Sequence, residues 1–109
     1  VDGSDLLRRF CIGDPALADE SGSLWTERLD ARTRALITVG ALVAVSAPEA
    51  SVRGAVDAAT GVGVRPDEVI AVLDGVVPVV GMPRAVAAAP RIAAALGYAE
   101  ELCVSDDGR

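Results

Sequence analysis

Two arginines stand out because their neighbours are apolar. Arg53 lies in EASVRGAVDAA and Arg84 in VVGMPRAVAAA. A guanidinium is a planar, permanently charged fork of donors, and in apolar surroundings its chemistry is to clamp a carboxylate. The same fork pairs equally well with an acid of its own chain, and Glu49, Asp57 and Asp74 are the candidates. Glu49 precedes Arg53 by four residues, so on a helix the two side chains meet, for a gain of only a few tenths of a kcal/mol if exposed. The structural pairing is the favoured role of both arginines, and Arg32 and Arg34 are expected to form surface or interface pairs.

Other chemistries are excluded by residue type. The chain has no histidine, which removes Ser-His-Asp, Cys-His and histidine-metal sites. It has no CxxC, and its two cysteines, Cys11 and Cys103, lie near opposite ends. They are expected as free thiols, with neither a dithiol centre nor a structural zinc. The GVGV at 61–64 has no strand before it and no Lys-Ser/Thr after it, so it is not a phosphate loop. Asp67/Glu68, Glu100/Glu101 and Asp106/Asp107 are adjacent pairs whose side chains diverge on a helix, so capping or solvation explains them. No metal and no cofactor is expected.

The chain that must position these residues is short. Its 109 residues fit one domain with a small core. Apolar residues make up 51% and charged residues 24%, with Phe10, Trp25 and Tyr98 the only aromatics. The interior is therefore built from Ala, Val, Leu and Ile, and the apolar excess is expected to be buried against further copies of the chain. The ten basic residues are all arginine, dispersed among sixteen acids for a net charge of -6. Nucleic-acid binding needs clustered positive charge, so no nucleic-acid partner is expected. The longest apolar run, 35–47, falls short of the roughly 20 residues of a membrane span. No basic leader precedes an apolar run, and a cytoplasmic protein is expected.

Prolines, glycines and caps divide the chain into helices. Asp2 or Ser4 caps a short amphipathic piece, which Leu6, Leu7 and Phe10 dock and which Gly13 and Pro15 end. Residues 20–29, ESGSLWTERL, read as a loop anchored by Leu24 and Trp25. Asp30 caps a long helix over 31–47, with Leu29 stapling onto it. There Leu36, Val39, Gly40, Val43 and Ala47 follow helical spacing, but the opposite face is apolar too, as in a helix buried on most sides. β-Branched residues leave a strand reading open, although seventeen residues is long for a strand. Gly40 permits a close helix crossing. Pro48 opens a second helix that buries Val52, Ala55, Val56 and Ala59, and Gly61 or Gly63 stops it. Pro66, Asp67 and Glu68 start a third, with Val69, Val72, Leu73, Val76 and Val77 on its apolar side. Pro78 kinks or ends that helix in its last turn and Gly81 closes it. Pro83 starts a fourth, which runs to Gly97 and bends at Pro90. The organisation expected is an N-terminal arm and loop over 1–28, a helical domain over 29–98 and a polar tail over 99–109.

Three of these stretches, LDARTRALITVGALVA at 29–44, VRPDEVIAVL at 64–73 and VVGMPRAVAAA at 79–89, together resemble the carboxymuconolactone decarboxylase family, which includes the alkylhydroperoxidase-D-like proteins. The third is similar to the family's helix–turn–helix signature of small apolar residues, Gly-aromatic-Pro and a helix, with Met82 at the aromatic position. The resemblance covers about 24–97. It implies an all-α, AhpD-like helical bundle that assembles as a homotrimer or hexamer, with active sites between helices near subunit contacts.

The family's reactive residues, a CxxC with a following His or a His with a nearby Glu or Cys, would fall in SAPEASVRGAVDAATG. The position of the His lands on Ala55 or on Ser51, depending on how the stretch is laid on the pattern. Neither is a histidine, and Cys11 and Cys103 lie outside the region. The expectation is a degenerate member, acting as an oligomeric binding or structural protein rather than through the family's usual catalysis. The alternative is a decarboxylase or lactone-processing enzyme for a small carboxylated substrate. There Arg53 and Arg84 would hold carboxylates, with Glu49 and Ser51 handling protons.

Overall fold

The computed structural model describes residues 2–20 and 22–98. Its secondary structure is all α: α1 (Gly3–Cys11), α2 (Leu17–Glu20), α3 (Ser23–Arg28), α4 (Ala31–Ala44), α5 (Glu49–Gly61), α6 (Pro66–Val80) and α7 (Met82–Leu96). The polar tail and Cys103 lie outside the described residues.

Helices α4–α7 form the core. α4 packs beside α5 and α6, and α7 packs beside the same two. Arg32 at the start of α4 pairs with Glu68 at the start of α6, and Gly40, two turns on, faces Val72 and Val76. α4 and α6 therefore run parallel. α7 returns antiparallel to α6 across Gly81, which the corner holds at φ 89°. Val39, Val43, Ala47, Val52, Val56, Ala59, Val69, Ala88 and Ile92 are buried together at the centre. The periodicities expected of the three long apolar segments are those observed, and burial rather than intrinsic propensity holds the helices in place.

Local punctuation accounts for the helix ends. The Asp30 carboxylate accepts from the Thr33 N–H at 2.8 Å, a side-chain N-cap. At the start of α6, Glu68 accepts from the Arg65 N–H at 2.8 Å, and Pro66 occupies the first turn, where a missing N–H costs nothing. α5 ends at Gly61, and the turn closes through Gly63, at φ 92°, with bonds from Gly63 N–H to the Thr60 carbonyl and from Val64 N–H to the Ala59 carbonyl. That double closure is the Schellman arrangement. Pro78 and Pro90 lie inside α6 and α7, both of which continue past them.

Four details differ from the sequence reading. Residues 23–28 are helix, not loop: Gly22 turns the chain at φ 109°, and the Thr26 hydroxyl bonds to its carbonyl at 3.1 Å. α4 stops at Ala44, one turn early, because Ser46 takes a left-handed conformation. Pro48 is the residue before α5 and not within its first turn. In α1, capped by Asp2, Leu7 is 64% and Phe10 54% exposed, and no residue of that helix is buried. The arm helices α1–α3 touch the core only sparsely. Arg9 of α1 ties that helix to the following turn and to α2, bonding Asp14 at 2.9 Å and Glu20 at 2.8 Å.

Candidate functional site

The segment that joins α4 to α5 carries the candidate residues. α4 closes with bonds from Ser46 N–H to the Val43 carbonyl and from Ala47 N–H to the Leu42 carbonyl. This is again the Schellman arrangement, but the left-handed position holds serine, at φ 56°, where glycine is usual. Ala47 is buried, and its carbonyl accepts a hydrogen bond from Arg91 Nη1 at 3.0 Å. Arg91 is half-buried on α7. It thus ties the α4–α5 corner to the far side of the core. Nothing in its sequence context marks it out, since its partner is a main-chain atom.

Beyond Pro48 the first turns of α5 present Glu49, Ser51 and Arg53, all exposed. Arg53 bonds Glu49 at 3.1 Å, the i, i+4 pair that the spacing suggested. The Ser51 main-chain N–H bonds to the Pro48 carbonyl at 3.1 Å. Ala55, the other position on which the family's histidine would fall, is half-buried on the same helix. Arg84 is exposed in the first turn of α7 and has no hydrogen bond or ion pair among the described residues. Its sequence neighbours are apolar, but successive residues of a helix point about 100° apart, and Ala85 takes the buried direction. Arg84 is therefore turned outward, and neither Glu49 nor Arg53 bonds to it.

Three grooves along the core helices are apolar. One of about 520 Å³ lies between α4 and α6, lined by Leu36, Ile37, Gly40, Ala41, Val72, Gly75 and Val76. Another of about 310 Å³, between α6 and α7, has Asp74 as its single charged lining residue among Ile70, Leu73, Val77, Met82, Ala85, Val86 and Ala89. A third, about 190 Å³, continues along the same two helices to Tyr98. Such walls suit apolar ligands or protein surfaces and offer no paired acid and base. Among the described residues no group of three or more His, Cys, Asp and Glu could hold a metal, and no helix is long and apolar enough to cross a membrane.

Charge chemistry is concentrated instead at the helix starts. The Arg32 guanidinium, with the Arg65 main-chain N–H, holds the Glu68 carboxyl below the usual glutamate range. The Thr33 N–H does the same for Asp30. These are structural carboxylates, each bonded to the group that stabilises its charged form.

The model of the carboxymuconolactone decarboxylase family matches residues 16–95 of the chain. No curated protein and no solved structure gives a significant match.

Proposed function

The chain belongs to the carboxymuconolactone decarboxylase family, and from that membership we propose that it is a homo-oligomeric binding or structural protein that has left the family's usual catalysis. The observation that carries this is the pairing of Arg53 with Glu49 on an exposed helical face, in a chain without histidine. Both charged candidates of that segment are engaged with each other, and an acid/base step has no imidazole to use. The apolar grooves support a role in binding apolar surface, with assembly as a trimer or hexamer. We place the working domain at 29–98 and the protein in the cytoplasm. No nucleic-acid partner is included, since the net charge of -6 opposes one.

The test is direct. Light scattering at micromolar concentration should give a multiple of the chain mass. A lactone carboxylate or small dicarboxylate should be neither turned over nor bound in calorimetry, in the wild type as in Arg53→Ala and Arg84→Ala. A monomer would refute the assembly. Turnover that disappears in either arginine variant would establish the alternative, an enzyme that clamps a small carboxylate.

A further inference from the structure

The arm helices α1–α3 take no part in the central packing of α4–α7. The buried cluster of the core, with the partly buried side chains packed against it, begins at Ala35. Leu17 is the arm's one buried side chain among the described residues, and it lies outside that cluster. The two parts are joined by the short link between α3 and α4, Leu29 and Asp30.

The link is built to turn. The Leu29 N–H is bonded back into α3, to the Trp25 carbonyl at 3.2 Å, and the Asp30 carbonyl accepts from the Arg34 N–H of α4 at 3.0 Å. The backbone torsions of Leu29 and Asp30 lie between those two bonds, so rotating them breaks no main-chain hydrogen bond of either helix. Both residues are in relaxed extended conformations, Leu29 at φ -116° and ψ 135° and Asp30 at φ -75° and ψ 169°, and hinge residues need not be small. Leu29 goes with the arm, because it lines a cavity there with Leu6 and Phe10 of α1 and Leu24 and Trp25 of α3. Asp30 goes with the core, as the cap of α4.

One side chain resists that rotation. Arg34, half-buried on α4, reaches back over the link, and its Nη1 donates to the Leu29 carbonyl and, at 3.3 Å, to the Thr26 carbonyl. Both acceptors lie at the end of α3, where the helix supplies no donor of its own. Arg34 makes both of the arm-to-core hydrogen bonds found among the described residues.

We propose that Leu29 and Asp30 form a hinge, that Arg34 is its latch, and that opening the latch swings α1–α3 as a body against the core. The arm holds together as it moves: Arg9 joins α1 to Asp14 and to Glu20 of α2, and α1 and α3 share the walls of one apolar cavity. The latch sets the direction in which the arm presents its exposed apolar residues Leu7, Phe10 and Ile12. Swings of this kind belong to the microsecond-to-millisecond motions of hinged units.

The test measures distances in the full chain by pulsed electron spin resonance. The background is Cys103→Ser, and labelled protein is diluted into unlabelled protein so that only distances within one chain are read. One label sits on Cys11, which is exposed, and the other on an exposed core position, Ala58→Cys. With Arg34 in place the pair should give one narrow distribution. Arg34→Ala should broaden or shift it, and Arg34→Lys, which keeps a charged donor without the planar fork, should fall between the two. A control pair within the arm, Cys11 with Ser23→Cys, should stay narrow in Arg34→Ala, and circular dichroism should keep its helical signal. A distribution between positions 11 and 58 that Arg34→Ala leaves unchanged, or one already broad with Arg34 in place, would overturn the latch. Broadening between positions 11 and 23 as well would overturn the hinge, because the arm would then unravel instead of swinging.

Discussion

Arg91 holds the main-chain carbonyl of Ala47, forty-four residues earlier in the chain, at 3.0 Å. The bond spans α7 and the α4–α5 corner, and it is half-buried, so water replaces it poorly. Arg91→Ala should destabilise the fold by about 1–2 kcal/mol, the scale of a charged donor lost to a main-chain acceptor. For a chain of this size that is a fall in melting temperature of about 4–8 °C per kcal/mol. Arg84→Ala, at an exposed position with no ion pair among the described residues, should stay within about 0.5 kcal/mol of wild type. Thermal denaturation of the two variants side by side measures the contrast.

Ser46 occupies a left-handed conformation at φ 56° on an exposed corner. An L side chain there costs roughly 1–2 kcal/mol in steric repulsion, whereas glycine is nearly free of it. Ser46→Gly should raise stability in urea by about 0.5–1 kcal/mol, the remainder being lost to glycine's greater freedom in the unfolded chain. Ser46→Val should lower it by a comparable or larger amount. The pair of opposite shifts distinguishes backbone strain from any role of the hydroxyl.

Gly40 faces α6, but it is not required there by space. A Cβ at this position would meet Val72 Cγ1 at 3.4 Å and Val76 Cγ1 at 3.6 Å, ordinary contact distances. Gly40→Ala should therefore gain most of the helix propensity difference, up to about 1 kcal/mol, as read from the urea midpoint. A loss of stability instead would mean that the α4–α6 crossing is tighter than these contacts.

Acid should weaken the link between α4 and α6. Arg32, and after it the Arg65 N–H, depress the Glu68 carboxyl in the folded chain below its ordinary value of 4.5. The unfolded chain then binds the proton first as pH falls. The contribution is fully present above about 4.5 and is lost as pH drops through the lower folded value. Glu68→Gln should flatten that part of the stability–pH curve. Asp14, Asp30 and Asp67 are depressed as well, so an acid slope should survive in the variant. An unchanged slope in Glu68→Gln would contradict the assignment.

What the sequence made legible was what depends on near neighbours. The Asp30 cap, the proline starts of α6 and α7 and the Gly81 corner each involve a few consecutive residues whose backbone chemistry is decisive. The apolar stripes of α4, α5 and α6 were equally readable, because burial follows the helical period. Arg91 was not readable, since a bond to a carbonyl across forty-four residues leaves no trace in residue type. Ser46 was missed because serine signals no left-handed turn, and the early end of α4 went with it. α3 was hidden by Gly22 and its shortness. At the candidate site the Glu49–Arg53 pair was foreseeable from spacing. The outward placement of Arg84 depends on which way α7 is rotated against the core, which its many alanines leave open.

The core is made of two helical hairpins, α4–α5 and α6–α7, each closed by a corner of at most four residues. Within each hairpin, contacts form between segments close in sequence, so little loop entropy opposes them. The contacts that cross between the hairpins, α4 to α6 and α5 to α7, join segments farther apart in the sequence. Such a topology places the chain among fast folders, on the microsecond-to-millisecond scale typical of helical bundles.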